Sequence, residues 1–85
     1  ASLKTFADFE QGMLKVKAVS GATKEEFKAL TDSAKELGSA TMFSASQVSG
    51  LQFELSKLGL TPDEINKATG SILALAQATT TDLAE

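Results

Sequence analysis

Apolar side chains recur along this chain at intervals of three and four residues. Phe6, Phe9, Met13 and Val16 form one such set, and Phe27, Leu30, Ala34 and Leu37 a second. Val48, Leu51, Leu55 and Leu58 form a third, and Ile65, Ala68, Ile72 and Leu75 a fourth. This spacing stacks side chains on one face of an α-helix, and no stretch sustains the two-residue alternation of a strand. The pattern predicts an all-α chain. Four short helices are expected near residues 3–19, 24–37, 45–58 and 62–78, in a bundle-like or orthogonal packing. Leu51, Leu55 and Ile72 sit centrally in their stripes and are expected in the core.

The breaks between stripes carry matching chemistry. Ser20-Gly21-Ala22 ends the first helix, and Thr23-Lys24-Glu25-Glu26 then reads as a capping box. In such a box the Thr23 hydroxyl accepts from an orphan amide of the first turn while Glu26 reaches back to the Thr23 amide. Ser44-Ala45-Ser46-Gln47 is a second box. Thr61-Pro62-Asp63-Glu64 combines a cap, a proline at the first helical position and two acids facing the helix dipole. Gly38 and Gly59 are expected to stop the second and third helices with positive φ. Asp82-Leu83-Ala84-Glu85 repeats the box pattern, so the start of a fifth helix is expected there. The chain opens without Met or a clear cap and closes on that box. The expectation is one helical module, residues 1–85, within a much longer protein.

At 85 residues the chain is long enough for a single small domain with a thin core. Hydrophobic residues make up 42% and charged residues 22%, with no run that approaches a membrane span. There is no His and no Cys, which removes disulfides, zinc and haem ligation, thiol nucleophiles and the commonest general base. The net charge of −3, with lysine as the only cation type, argues against a nucleic-acid-binding face.

The adjacent carboxylates Glu25-Glu26 and Asp63-Glu64 are explained by helix-dipole compensation, and none of the glycines falls into a phosphate-binding pattern. Ser and Thr are plentiful but lack an activating partner. No catalytic, cofactor-binding or metal residue is therefore assigned, and the chain is read as non-enzymatic. Lys15, Lys17, Lys24 and Lys28 gather around the first turn and read as solvated charge. Phe53 lies about opposite the third stripe at 100° per residue, so either another element covers it or a partner does. Gly70, Ala74 and Ala78 form a ridge of small residues that would let another backbone approach. Phe53, Gly70, Ala74 and Ala78 are the candidate partner contacts.

The order of these elements also resembles a known family. Residues Phe9 to Thr23, reading FEQGMLKVKAVSGAT, resemble the opening of the core region of phage tail tape-measure proteins, a class of minor tail protein. Ala34-Lys35-Glu36-Leu37-Gly38, then Thr41-Met42-Phe43-Ser44-Ala45-Ser46-Gln47-Val48, continue the likeness. Leu58-Gly59-Leu60-Thr61-Pro62-Asp63-Glu64-Ile65 follows, then Leu73-Ala74-Leu75-Ala76-Gln77-Ala78 and Thr81-Asp82-Leu83. The most specific element is the E-L-G…T-x-F-S-A link together with L-G-x-T-x-x-E-I. The chain departs from the pattern in its third helix, where Gln52-Phe53-Glu54 and Lys57 make a more polar face than the family's Ala-rich one.

The resemblance implies a long parent protein lying in the tail lumen of a phage or prophage virion, assembled in the host cytoplasm, whose length sets tail length. It implies tube subunits, assembly chaperones and baseplate or tip proteins as partners, with self-association also open, and no cofactor. Short capped helices make a poor ruler, so this segment is expected to be a compact docking or folding module on it. Two other readings stay open: a stand-alone helical binding or adaptor domain, and a membrane-active segment used in genome delivery, for which the Ile65–Ala78 helix is the candidate. Specific nucleic-acid binding is not expected.

Overall fold

The computed structural model describes residues 3–84, with side-chain environments for residues 4 and 6–80. It is all-α, with helices α1 (Leu3–Ser20), α2 (Lys24–Ala40), α3 (Ala45–Lys57) and α4 (Pro62–Ala84) and, among the described residues, no strand. α3 is the shortest helix and the central one. α1 packs against it most extensively, α2 next, and α4 lies across both α3 and α2. α1 and α2 both lie on α3 and scarcely on each other. The molecule measures 42 × 30 × 18 Å.

The helix starts follow the local sequence. Glu26 N–H donates to Thr23 Oγ1 at 3.1 Å while Glu26 Oε1 accepts from Thr23 N–H at 2.8 Å. Ser44 and Gln47 repeat the reciprocal pair at 3.1 and 2.9 Å, and Thr61 and Glu64 at 3.2 and 2.8 Å. Each box satisfies two otherwise orphaned amides, about 1 kcal/mol per cap. α1 ends at Gly21, with φ 69°, whose N–H reaches Lys17 O at 3.1 Å. Gly59 has φ 89° past the end of α3, as its position after Leu58 suggests.

Gly38 does not stop α2. The helix runs on to Ala40 and is ended by Thr41, whose N–H and Oγ1 both donate to Leu37 O, at 3.0 and 2.6 Å. Glycine is required at 38 for a different reason. A Cβ there would lie 2.6 Å from Ala45 N and 2.8 Å from Ala45 Cα, where the start of α3 folds back on α2. The expected fifth helix is also absent as a separate element, because α4 is continuous through Ala84. Neither Gly nor Pro interrupts the Thr79-Thr80-Thr81 run. Thr80 Oγ1 donates back to Ala76 O at 2.8 Å, so that hydroxyl joins the existing helix instead of capping a new one. Glu85 lies outside the described residues.

The core is built from Phe9, Met13, Val16, Ala22, Leu30, Ala34, Val48, Leu55, Ile65 and Leu73. The α2 stripe is as expected, with Leu30 and Ala34 buried and Phe27 and Leu37 packed at the edge. On α3 and α4 the inward face is turned by roughly 80° from the apolar stripe, at 100° per residue. α3 buries Val48, Ser49, Gln52, Leu55 and Ser56, whereas Leu58 is 74% exposed and Leu51 only half-buried. α4 buries Ile65, Thr69 and Leu73, whereas Ile72 and Leu75 are exposed. Close approach explains the turn on α3. A Cβ on Gly12 of α1 would stand 2.6 Å from Ser49 Oγ, so the two helices meet through their smallest residues and not through their largest. Gln52, fully buried, donates from Nε2 to Leu30 O at 3.0 Å and ties α3 to the middle of α2. On α1, Phe6 continues the stripe but is exposed.

Candidate functional site

The charged side chains are arranged for the surface. The three ion pairs among the described residues, Lys28–Asp32, Lys57–Glu54 and Lys67–Asp63, are solvent-facing neighbours on single helices. Pairs of this kind contribute little to stability. The Lys28–Asp32 hydrogen bond, at 2.7 Å, with their charge attraction behind it, raises the Lys28 pKa and lowers that of Asp32. Glu26 and Glu64 are held in their capping boxes. Among the described residues no three Asp or Glu gather in a way that could hold a metal ion.

The residues singled out as partner contacts fall into two settings. Phe53 is half-buried and packs against the edge of the core, and its ring has the Lys57 ammonium 4.8 Å from its centroid. Lys57 also pairs with Glu54 at 3.0 Å. Of the polar third-helix positions, Gln52 thus points inward to Leu30 O, while Phe53, Lys57 and Glu54 form a linked set at the surface. The ridge on α4 is the second setting. A Cβ on Gly70 would meet nothing within 4 Å, and Ala74 and Ala78 are exposed.

The family-like motifs are joints of the fold. In the α2–α3 link Thr41 ends one helix, Phe43 packs against the core, Ser44 caps the next and Ala45 meets Gly38. Met42 N–H donates to Gln77 Oε1 at 2.7 Å, which brings α4 onto the same link. In the α3–α4 link Gly59 supplies the left-handed turn, Thr61 and Glu64 form the box, and Ile65 is fully buried.

One surface was not legible in the sequence. A cleft of about 240 Å³ opens between α1 and α2, which scarcely touch each other. Phe6, Phe9, Met13 and Leu14 line it from α1, and Phe27, Thr31 and Lys35 from α2. Phe6 and Leu14 are 57% and 59% exposed. Lys17 Nζ stands 5.2 Å from the Phe27 ring centroid, and Lys24 and Lys28 continue along the outer side of Phe27. The available signals were Leu14, which lies off the Met13 stripe, and the recurrence of Lys24, Lys28 and Lys35 on one flank of α2.

The chain aligns over 84 residues, 99% of its length, with a tape measure protein of Pneumococcus phage Dp-1, at 34% identity. It spans only 7% of that relative's length. No family model matches the chain, and no solved structure matches it. None of the four helices is long and apolar enough to cross a membrane.

Proposed function

We propose that this chain is a non-enzymatic structural module of a phage or prophage tail tape-measure protein, acting through protein–protein contacts during tail assembly. The observation that carries this reading is the alignment of 99% of this chain with a short stretch of the Dp-1 tape measure protein. The order of the two capped joints supports it. In this reading the parent's length determines tail length, and the module is a folded body on the ruler. As one straight helix 85 residues would reach about 130 Å, at ~1.5 Å per residue. The folded module is 42 Å in its longest dimension, a poor return of length per residue for a measuring rod. Its partners are tail proteins such as tube subunits, assembly chaperones or baseplate and tip proteins, in the virion tail and in the host cytoplasm before it.

The test is genetic, in a tailed phage whose tape-measure gene carries this module. Replacing Ala74 and Ala78 with Glu leaves the exposed ridge soluble and the fold intact, and is expected to lower the yield of complete tails without changing their length. Phe53→Ser is expected to act in the same direction, with some loss of stability because its ring is half-buried. Tail length should respond instead to insertions in extended helical parts of the parent. Normal yields from a phage lacking the whole module would refute the assembly role.

A further inference from the structure

We propose that α4 has two dockings on the rest of the fold: the one described above, and a second in which the helix is rotated by about 80° about its own axis. The inference stands apart from the tail assignment. In the observed docking the helix and its site are mismatched. Thr69 is fully buried at the centre of the inner face, and neither its hydroxyl nor the buried Oδ1 of Asn66 has a hydrogen-bond partner among the described residues. Meanwhile Ile72 is 41% exposed and Leu75 70%. At 100° per residue, Ile65, Ala68, Ile72 and Leu75 centre on one direction, and the buried Ile65, Thr69 and Leu73 on another about 80° away. Ile65 belongs to both sets, about 40° from either centre. Rotation through that angle keeps Ile65 buried, brings Ala68, Ile72 and Leu75 inward, moves Thr69 to the water-facing edge and turns Asn66 out.

The movement is small. An α-helical backbone lies about 2.3 Å from its axis, so a turn of about 80° displaces it by about 3 Å. Gly59, at φ 89°, sits in the link where the change is absorbed, and the Thr61–Glu64 box travels with the helix. α4 is also the more lightly held neighbour of α3. No charge obstructs the second docking, because α4 has no charged residue from Ala68 to Thr81. Two contacts hold the observed one. Leu73 is buried there and would turn outward, and Met42 N–H would lose Gln77 Oε1, now 2.7 Å away. Gln77 is thus the latch. The two dockings present different surfaces, the first offering Ile72 and Leu75, the second Asn66 and Leu73. Whatever grips Ile72 and Leu75 holds α4 in the first.

Thiol reactivity tests this, since the chain has no Cys of its own. With Thr69 in place, Leu75→Cys is expected to react quickly with a thiol reagent and Leu73→Cys slowly. Thr69→Asp penalises the observed docking by burying a charge but leaves the second open, where position 69 lies at the edge. It should keep its helical content by circular dichroism. In that background Leu73→Cys should react faster, and Leu75→Cys slower, each by about tenfold or more. Leu75→Lys closes only the second docking and, at an exposed position, should also keep its helices. Thr69→Asp combined with Leu75→Lys leaves α4 no docking and should lose helix that each single variant retains. In the natural sequence, methyl relaxation dispersion should show microsecond-to-millisecond exchange at Ile72, Leu73 and Leu75, and Leu75→Lys should silence it at Ile72 and Leu73. Flat dispersion in the natural sequence would overturn the proposal. So would loss of helix in Thr69→Asp alone, cysteine reactivities that Thr69→Asp leaves unchanged, or fast reaction at both positions, which would mean that α4 detaches without finding a second seat.

Discussion

The α1–α3 contact can be tested with a single methyl group. Gly12 is half-buried in the middle of α1, and its missing Cβ would fall 2.6 Å from Ser49 Oγ and 3.4 Å from Ser49 Cβ. Alanine at an open helical position stabilises by about 1 kcal/mol relative to glycine. Gly50 and Gly70 are such positions, since a Cβ on either meets nothing within 4 Å. At Gly12 the same substitution forces an overlap. Ser49 is 2% exposed, and its hydroxyl is already committed to Ser46 O at 2.9 Å, so it cannot turn away without giving up that bond. Overpacking of this kind costs about 1–3 kcal/mol, which offsets the propensity gain and leaves Gly12→Ala destabilising by up to about 2 kcal/mol. Urea unfolding followed by circular dichroism should thus show Gly50→Ala and Gly70→Ala moving the midpoint up and Gly12→Ala moving it down. Gly12→Ala combined with Ser49→Ala removes the clashing oxygen and should recover most of the loss, a coupling that independent sites would lack. If Gly12→Ala proved as stabilising as Gly50→Ala, the close crossing of α1 and α3 would be wrong.

Thr69 is fully buried and its hydroxyl has no hydrogen-bond partner, so Thr69→Val, nearly isosteric, should stabilise by about 1–2 kcal/mol in the same assay. A loss instead would mean that the hydroxyl is bonded in solution. Gly38→Ala should destabilise by up to about 2 kcal/mol after the same propensity gain is subtracted, because the overlapped atoms are the Ala45 backbone and cannot rotate away. With φ in the helical range at 38, a gain there would show that α2 and α3 are further apart than described. The stability curve should be flat between about pH 6 and pH 9, since the chain has no His or Cys. The contribution of Asp32, whose pKa is lowered, is present above its ordinary value of 3.8 and is lost as pH falls through the folded value. That of Lys28, whose pKa is raised, is present below 10.5 and is lost as pH rises through the folded value. A midpoint that moved near neutrality would point to a titrating group outside this account.

The starts of α2, α3 and α4 were readable because caps are local: Thr23, Ser44 and Thr61 need only residues three positions away to do their work. The inward faces of α3 and α4 were not, because which side is buried depends on what lies against it. Apolar spacing alone chose Leu58 and Leu75 and passed over Ser49, Ser56 and Thr69, side chains whose small size lets helices come close and whose polarity hides them from a hydrophobicity pattern. Gln52 is the extreme case, a polar residue at the centre of the buried face of the central helix. Gly38 was legible as a required glycine, but the requirement is steric clearance and not φ, and clearance is set by Ala45 across the link. The α1–α2 cleft was not legible because it lies between two helices that scarcely touch, an arrangement that no single helix records.

The central place of α3 also sets an order of rupture under load. α1 grips α3 along an interface that includes the tight Gly12–Ser49 crossing, whereas α4 rests on α2 and α3 more lightly. The inner face of α4 carries two buried oxygens without partners, Asn66 Oδ1 and Thr69 Oγ1, so exposing it to water recovers hydration that the fold had given up. When the chain is drawn out by its two ends, α4 is expected to strip off first and α1 to hold longest. In an optical trap this would appear as two extension steps, the earlier releasing the 23 residues of α4, about 75 Å of contour. The module would then behave as a stretch of stored slack that pays out in stages, with a three-helix body surviving the first release. A single cooperative step spanning the whole chain would show that α4 is bound as firmly as α1.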